Sequence, residues 1–94
     1  MPPYDVKNND LLNRFEVEED GLVAELGYKL GVSQITLVHT QVPPELEGRG
    51  IGSALVKAGI DYARQNDLKI VPYCPFARGY LQRHPEYNDL VVKE

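Results

Sequence analysis

Val42-Pro43-Pro44-Glu45-Leu46-Glu47-Gly48-Arg49-Gly50-Ile51-Gly52-Ser53-Ala54-Leu55-Val56 joins a β-rich run to an amphipathic helix through three glycines at alternate positions. Glycines without a Cβ let a ligand approach the main chain, and a helix that starts there presents unpaired N–H groups and the positive end of its dipole. A diphosphate suits such a nest. The bland alternative is a glycine-rich strand-to-helix turn that holds nothing.

The spacing narrows the choice of diphosphate. A dinucleotide fingerprint needs glycine at the first, third and sixth positions, but counting from Gly48 the sixth is Ser53, and Asp67 precedes the next strand instead of ending it. A Walker loop needs Gly-Lys before Ser or Thr, and the chain has no Gly-Lys pair.

Working outward, Arg14-Phe15-Glu16-Val17-Glu18 alternates polar and apolar, and Asp20-Gly21 supplies a hairpin turn. Leu22 to Leu30 follows, with Leu22, Ala24, Leu26, Tyr28 and Leu30 on one face. Gln34 to Val42 is a third strand, with Ile35 and Leu37 on one face and Thr36 and Val38 on the other. These three form an antiparallel meander, which Pro43 and Pro44 end because neither can donate a ladder hydrogen bond. Ile51, Leu55, Ala58 and Tyr62 fall at helical spacing in a helix from about Gly50 to Asn66, with Lys57 and Arg64 outward. Gly59 inside that helix costs roughly 1 kcal/mol against alanine, which suggests close packing there. Leu68 to Tyr73 reads as a fourth, mostly apolar strand in the centre of the sheet. Pro75 to Arg83 reads as a short helix with proline in its first turn, followed by Pro85, and Leu90-Val91-Val92 as a last strand or docking segment within the tail Tyr87 to Glu94.

The expected class is therefore α+β, a helix-on-sheet sandwich with a mainly antiparallel sheet. With 94 residues the chain reads as one domain over residues 1–94, its core at about 13–92. The N-terminal Met1-Pro2-Pro3-Tyr4-Asp5 is neither basic nor apolar, and no segment approaches the length that crosses a bilayer, so a soluble, cytoplasmic protein without a membrane partner is expected. A single cysteine, Cys74, excludes an internal disulfide, and with two histidines no metal site is expected. Net charge of −4 argues against non-specific nucleic-acid binding. Arg49, Lys57, Arg64, Arg78 and Arg83 remain as a basic set for phosphates.

The loop and its setting resemble the GNAT acetyltransferase superfamily, whose motif Arg/Gln-x-x-Gly-x-Gly/Ala lies between a central strand and a helix and binds the pyrophosphate of acetyl-CoA. Here it reads Glu47-Gly48-Arg49-Gly50-Ile51-Gly52, with Glu47 where the superfamily has Arg or Gln. Val71-Pro72-Tyr73-Cys74-Pro75-Phe76, Tyr80-Leu81 and His84-Pro85-Glu86-Tyr87, downstream of Leu37-Val38-His39-Thr40, are similar to the minimal YjdJ-type N-acetyltransferases over about Phe15 to Leu90. The resemblance implies a shortened GNAT fold, acetyl-CoA as cosubstrate, and an amine acceptor that it does not identify. It points to Val42 and Gly48, Arg49, Gly50, Ile51, Gly52 and Ser53 for the cosubstrate, and to His39 and Cys74 for catalysis. In that fold the strand before the loop splays from its neighbour and offers main-chain N–H groups, here His39 through Val42, to the acyl carbonyl.

On chemistry alone, Cys74 precedes Pro75 at a helix start, where the dipole favours a thiolate, so it suits an acyl carrier or a proton donor to the departing thiolate; the alternative is a small buried residue. His39 suits a general base toward an amine or toward Cys74; the alternative is a strand histidine satisfied by a carbonyl. His84 reads as a helix C-terminal cap. Tyr73, Tyr80 and Tyr87 read as packing for the short helix, and the resemblance to GNAT enzymes makes Tyr80 a lesser candidate for a general acid. Against the transferase stand two other classes: a CoA or acyl-CoA binding module without turnover, and a protein-interaction domain. Oligomeric state is not legible.

Overall fold

The computed structural model describes residues 4–92. Met1, Pro2 and Pro3 of the N-terminal stretch, and Lys93 and Glu94 of the expected tail, lie outside the described residues.

The elements run β1 (Lys7–Asn9), β2 (Arg14–Glu19), β3 (Leu22–Leu30), β4 (Gln34–Gln41), a 3-10 turn (Pro44–Leu46), α1 (Ile51–Gln65), β5 (Lys69–Pro72), α2 (Pro75–Arg83) and a second 3-10 stretch (Pro85–Leu90). The sheet is ordered β1-β2-β3-β4-β5. The first four strands are antiparallel, and β5 runs parallel to β4. The expected α+β class, the meander and both helices are present. Asp20 and Gly21 turn the β2–β3 hairpin with φ of 53° and 75°, the left-handed pair that a two-residue turn requires.

Strand pairing assigns the two faces. Phe15 pairs with Leu26, Val17 with Ala24, Tyr28 with Leu37, and Leu30 with Ile35. This face is covered by α1, and α2 packs against α1 beside β4 and β5. Gly59 shows why α1 sits close: a Cβ there would lie 3.4 Å from side-chain atoms of both Leu26 and Leu37. The other face carries Arg14, Glu16, Glu18, Glu25, Gly27, Lys29, Thr36 and His39.

Four readings are corrected. β1 is an added strand, too short and polar to show alternation, and it exists by pairing with β2. β5 lies at the end of the strand order and not in the centre; its outer side meets Val91 through one bridge to Ile70. Its apolar character comes from burial of Ile70 in the helix-side core. In α1 the fully buried stripe is Ile51, Gly52, Leu55, Val56, Gly59, Ile60 and Ala63, while Ala58 and Tyr62 flank it at half burial. Tyr62 instead sets its ring edge-on to Phe15, with centroids 5.9 Å apart. Tyr73 is exposed, so of the three tyrosines Tyr80 and, at half burial, Tyr87 pack at α2, beside Ala77 and Leu81, whereas Leu30 keeps the expected face but is exposed at the end of its strand.

Candidate active site

The glycine loop adopts the shape its composition suggests. Gly48 and Gly50 have φ of 82° and 80°, a left-handed conformation that disfavours any residue with a Cβ, and a Cβ at either would meet nothing within 4 Å. Gly50 is the N-cap of α1 and no side chain caps the helix, so its first amides face outward without an intramolecular partner side chain. They border a cavity of about 430 Å3 lined by Thr40, Val42, Leu46, Glu47, Gly48, Gly50, Ile51, Gly52, Ser53 and Phe76. At Gly52 a Cβ would stand 2.9 Å from the Phe76 ring, so that glycine lets α2 close one wall.

Of the residues expected at the cosubstrate, Val42, Gly48, Gly50, Ile51, Gly52 and Ser53 line this cavity. The Arg49 side chain does not. It reaches Asp20 at 3.2 Å and the Glu45 carbonyl at 3.3 Å, while the Arg49 carbonyl accepts from the Tyr4 hydroxyl at 2.6 Å. The basic set does not converge either: Lys57 pairs with Asp61, Arg64 with Asp89, and Arg78 donates to the carbonyls of Pro72 and Tyr73. Glu47 is exposed on the cavity wall, so a carboxylate does stand beside the glycines.

The cavity opens where two strands part. β4 pairs with β3 as far as Gln41, but with β5 only from Gln34 to Leu37; the Cys74 N–H to the Leu37 carbonyl, at 2.9 Å, is the last bond across that side. The end of this pairing falls at a β-bulge: Tyr28 pairs with Leu37 and Gly27 with His39, which leaves Val38 as the extra residue. The bulge reverses the alternation. Thr40, paired with Leu26, joins the helix side, and His39, paired with Gly27, joins the open side.

His39 and Cys74 are therefore not brought together. Cys74 is 3% exposed in the helix-side core, with its Sγ 3.3 Å from Thr40 Oγ1. Burial pushes its thiol up, but the Thr40 hydroxyl and the main-chain groups of Ala77, Phe76 and Thr40 outweigh this and hold it below the ordinary thiol value. Phe76 and Ala77 lie in the first turn of α2, which Cys74 precedes as its N-cap residue. His39 keeps about half of its side chain, 53%, in solvent, and its Nε2 lies 3.2 Å from Glu25 Oε2. His84 ends α2 as expected, its ring stacked on Tyr80 with centroids 4.2 Å apart.

A larger cavity of about 780 Å3 lies over the outer side of α1, between Tyr4–Asn8 and residues such as Phe15, Tyr62 and Tyr80. It shares Gly50 and Ser53 with the smaller one but lacks Thr40, Val42 and the parting of β4 from β5. Size alone does not make it the reaction centre, and Tyr80 lies there.

A profile for the GCN5-related N-acetyl-transferase family matches residues 14–90. The chain belongs to the GCN5-related N-acetyltransferases. It is thereby an acyltransferase. The solution structure of a GCN5-like protein from Staphylococcus aureus superposes with a TM-score of 0.72 at 34% identity, covering 100% of this chain and 93% of that one. Among curated relatives, Protein NATD1 of Gallus gallus is 33% identical over 86 residues, 88% of this chain and 78% of the relative. Protein NATD1 of Xenopus tropicalis is 36% identical over 56 residues, 60% of this chain and 51% of the relative, so that match spans about half of the relative's length.

In this GCN5-related protein, Leu46, Phe76 and the side chain of Thr40 line the candidate site without having been singled out from the sequence. Thr40 was hidden because an uninterrupted strand places it opposite Ile35 and Leu37's neighbour His39, and only the bulge brings it to the thiol. Among the described residues no group of three or more His, Cys, Asp or Glu is placed to hold a metal ion.

Proposed function

We propose that the protein is an acetyl-CoA-dependent N-acetyltransferase acting on a primary amine. One observation carries this reading: the uncapped start of α1, with its Cβ-free cradle, opens into the same cavity as Thr40 and the parting of β4 from β5. The amides from Gly48 to Ser53 would hold the pyrophosphate, and Val42 the pantetheine arm. Acetyl-CoA, when bound, supplies the activated thioester.

The chain's own residues divide the remaining work between the faces of the sheet. Main-chain N–H groups of the unpaired edge of β4, His39 to Val42, are directed at an acyl carbonyl. His39, half in solvent on the open face, removes a proton from the incoming amine, the neutral imidazole offering a nitrogen lone pair for it. Cys74, on the helix side beside Thr40, stands where it can return a proton to the departing sulfur or carry the acyl group itself.

Titration calorimetry tests the reading. Gly50→Glu adds a side chain at a left-handed position and a negative charge where the phosphates sit, so binding of CoA should be lost while the sheet stays folded by circular dichroism. Equal CoA binding by the variant and the wild type would refute this assignment of the cosubstrate site. Incubation with acetyl-CoA and mass spectrometry then separates the two roles of Cys74: a hydroxylamine-sensitive acetyl adduct marks a carrier, and its absence with slowed transfer by Cys74→Ala marks a proton donor.

A further inference from the structure

His39 is exposed on one side and fixed on two others. Its Nε2 meets Glu25 Oε2 at 3.2 Å, and Glu25 Oε1 accepts from Arg14 Nη1 at 3.3 Å. Arg14 also donates through Nε to Glu16, whose carboxylate accepts from Asn9 Nδ2 at 3.2 Å. Strands β1 to β4 thus each contribute to one line of polar contacts that ends at the imidazole. Under the ring lies Gly27, where a Cβ would stand 2.5 Å from His39 Cε1 and 2.9 Å from Nδ1. Gly27 is not among the left-handed glycines, so its backbone does not explain the missing side chain; the ring resting on it does.

We propose that Glu25 is a positioning residue for acetyl transfer: it accepts the Nε2–H of His39 and holds the ring on Gly27, leaving Nδ1 as the lone pair that takes the acceptor's proton. The inference rests on His39 being the base. In the step, the amine nitrogen forms its bond to the acyl carbon, the carbon–sulfur bond breaks with its electron pair going to sulfur, and the amine proton moves to Nδ1. The imidazolium that results faces a carboxylate already in place, and Arg14 keeps that carboxylate from turning away. Among the described residues Glu25 is the hydrogen-bond partner that selects between the two tautomers of the ring.

Nitrogen-15 NMR of the imidazole side chains tests the arrangement without any acceptor. The wild type should show neutral His39 in the Nε2–H tautomer. Glu25→Ala should give a mixture, and Glu25→Gln should keep the wild-type pattern through its amide oxygen. Gly27→Ala should displace the ring and give the same mixture while leaving Glu25 untouched. Either the Nδ1–H tautomer in the wild type or an unchanged pattern in both Glu25→Ala and Gly27→Ala overturns the proposal. Kinetics with acetyl-CoA and a primary-amine panel supply the second arm. Glu25→Ala should lower kcat on the order of tenfold with KM for acetyl-CoA unchanged, and Glu25→Gln should recover most of it. In a His39→Ala background Glu25→Ala should have no further effect; an added loss there means that Glu25 acts otherwise and overturns the inference. His39→Ala at the wild-type rate would instead refute the base itself, a failure distinguishable because the tautomer result is read separately.

Discussion

The two faces of one sheet are built by opposite rules. On the helix side, Leu26, Ile35, Leu37, Leu55, Ile60 and Ile70 are fully buried, and even the glycine opposite them is there for packing. On the open side, Arg14, Glu16, Glu25 and His39 interact through charge and hydrogen bonds at partial exposure. Burial makes the first face the source of stability, because each large side chain removed there leaves a cavity. Exposure makes the second face cheap to alter and accessible to a substrate. Under the proposed function the base stands where the fold has least to lose, while the cavity at the parting of β4 from β5 is lined by Thr40 from the other face.

The largest effect should separate the faces outright. Leu55→Ala should lower stability by about 2–5 kcal/mol in urea denaturation. Lys29→Ala, on the open face, should change it by less than about 0.5 kcal/mol. Equal midpoints for the two variants would break the contrast. His39→Ala should do the reverse of Leu55→Ala: transfer falls by roughly 10²–10⁴-fold while the midpoint barely moves. A variant that loses stability instead of rate would move His39 to the structural side.

Thr40→Val sharpens the comparison at the boundary. Cys74 is the only cysteine, so thiolate absorbance reports it without ambiguity. The Thr40 hydroxyl is one of the groups that hold the thiol below its ordinary value, and its loss leaves burial less opposed. The thiolate should therefore appear at higher pH in Thr40→Val than in the wild type; an unchanged titration would remove Thr40 from the site. The smallest effect is expected at Glu47, the carboxylate on the wall of the anion cradle. Glu47→Gln should tighten CoA binding by roughly two- to threefold, about the size of one exposed like-charge interaction. No tightening would mean that the carboxylate turns away from the phosphates.

Much of this was legible from residues alone. The alternation in Arg14 to Leu30 gave both strands of the hairpin, Asp20-Gly21 gave its turn, and Pro75 gave the first residue of α2, because each signal is local. What the residues did not reveal depends on partners. Lys7–Asn9 becomes a strand only because β2 offers it an edge. The apolar run at β5 records burial and not order, so it reads equally well as a central or a terminal strand. Ala58 and Tyr62 fit a helical period as well as Val56 and Gly59 do, and only the sheet's position selects among them. At the site, the glycine cradle was visible because glycine announces main-chain exposure. The separation of His39 from Cys74 was not, since a bulge has no residue type of its own. Gly27 was the available sign, a strand glycine marking close approach of another group.

The extra residue at Val38 turns the site into a problem of parity. Because side chains alternate with period two, drawing Val38 into the ladder at the present chain length would exchange the two faces beyond it, moving a hydroxyl away from the thiol and an imidazole into the core. Deleting Val38 would instead remove the bulge and leave both assignments intact, with His39 still opposite Gly27 and Thr40 still opposite Leu26. At this chain length the bulge alone thus fixes on which side of the sheet the imidazole stands.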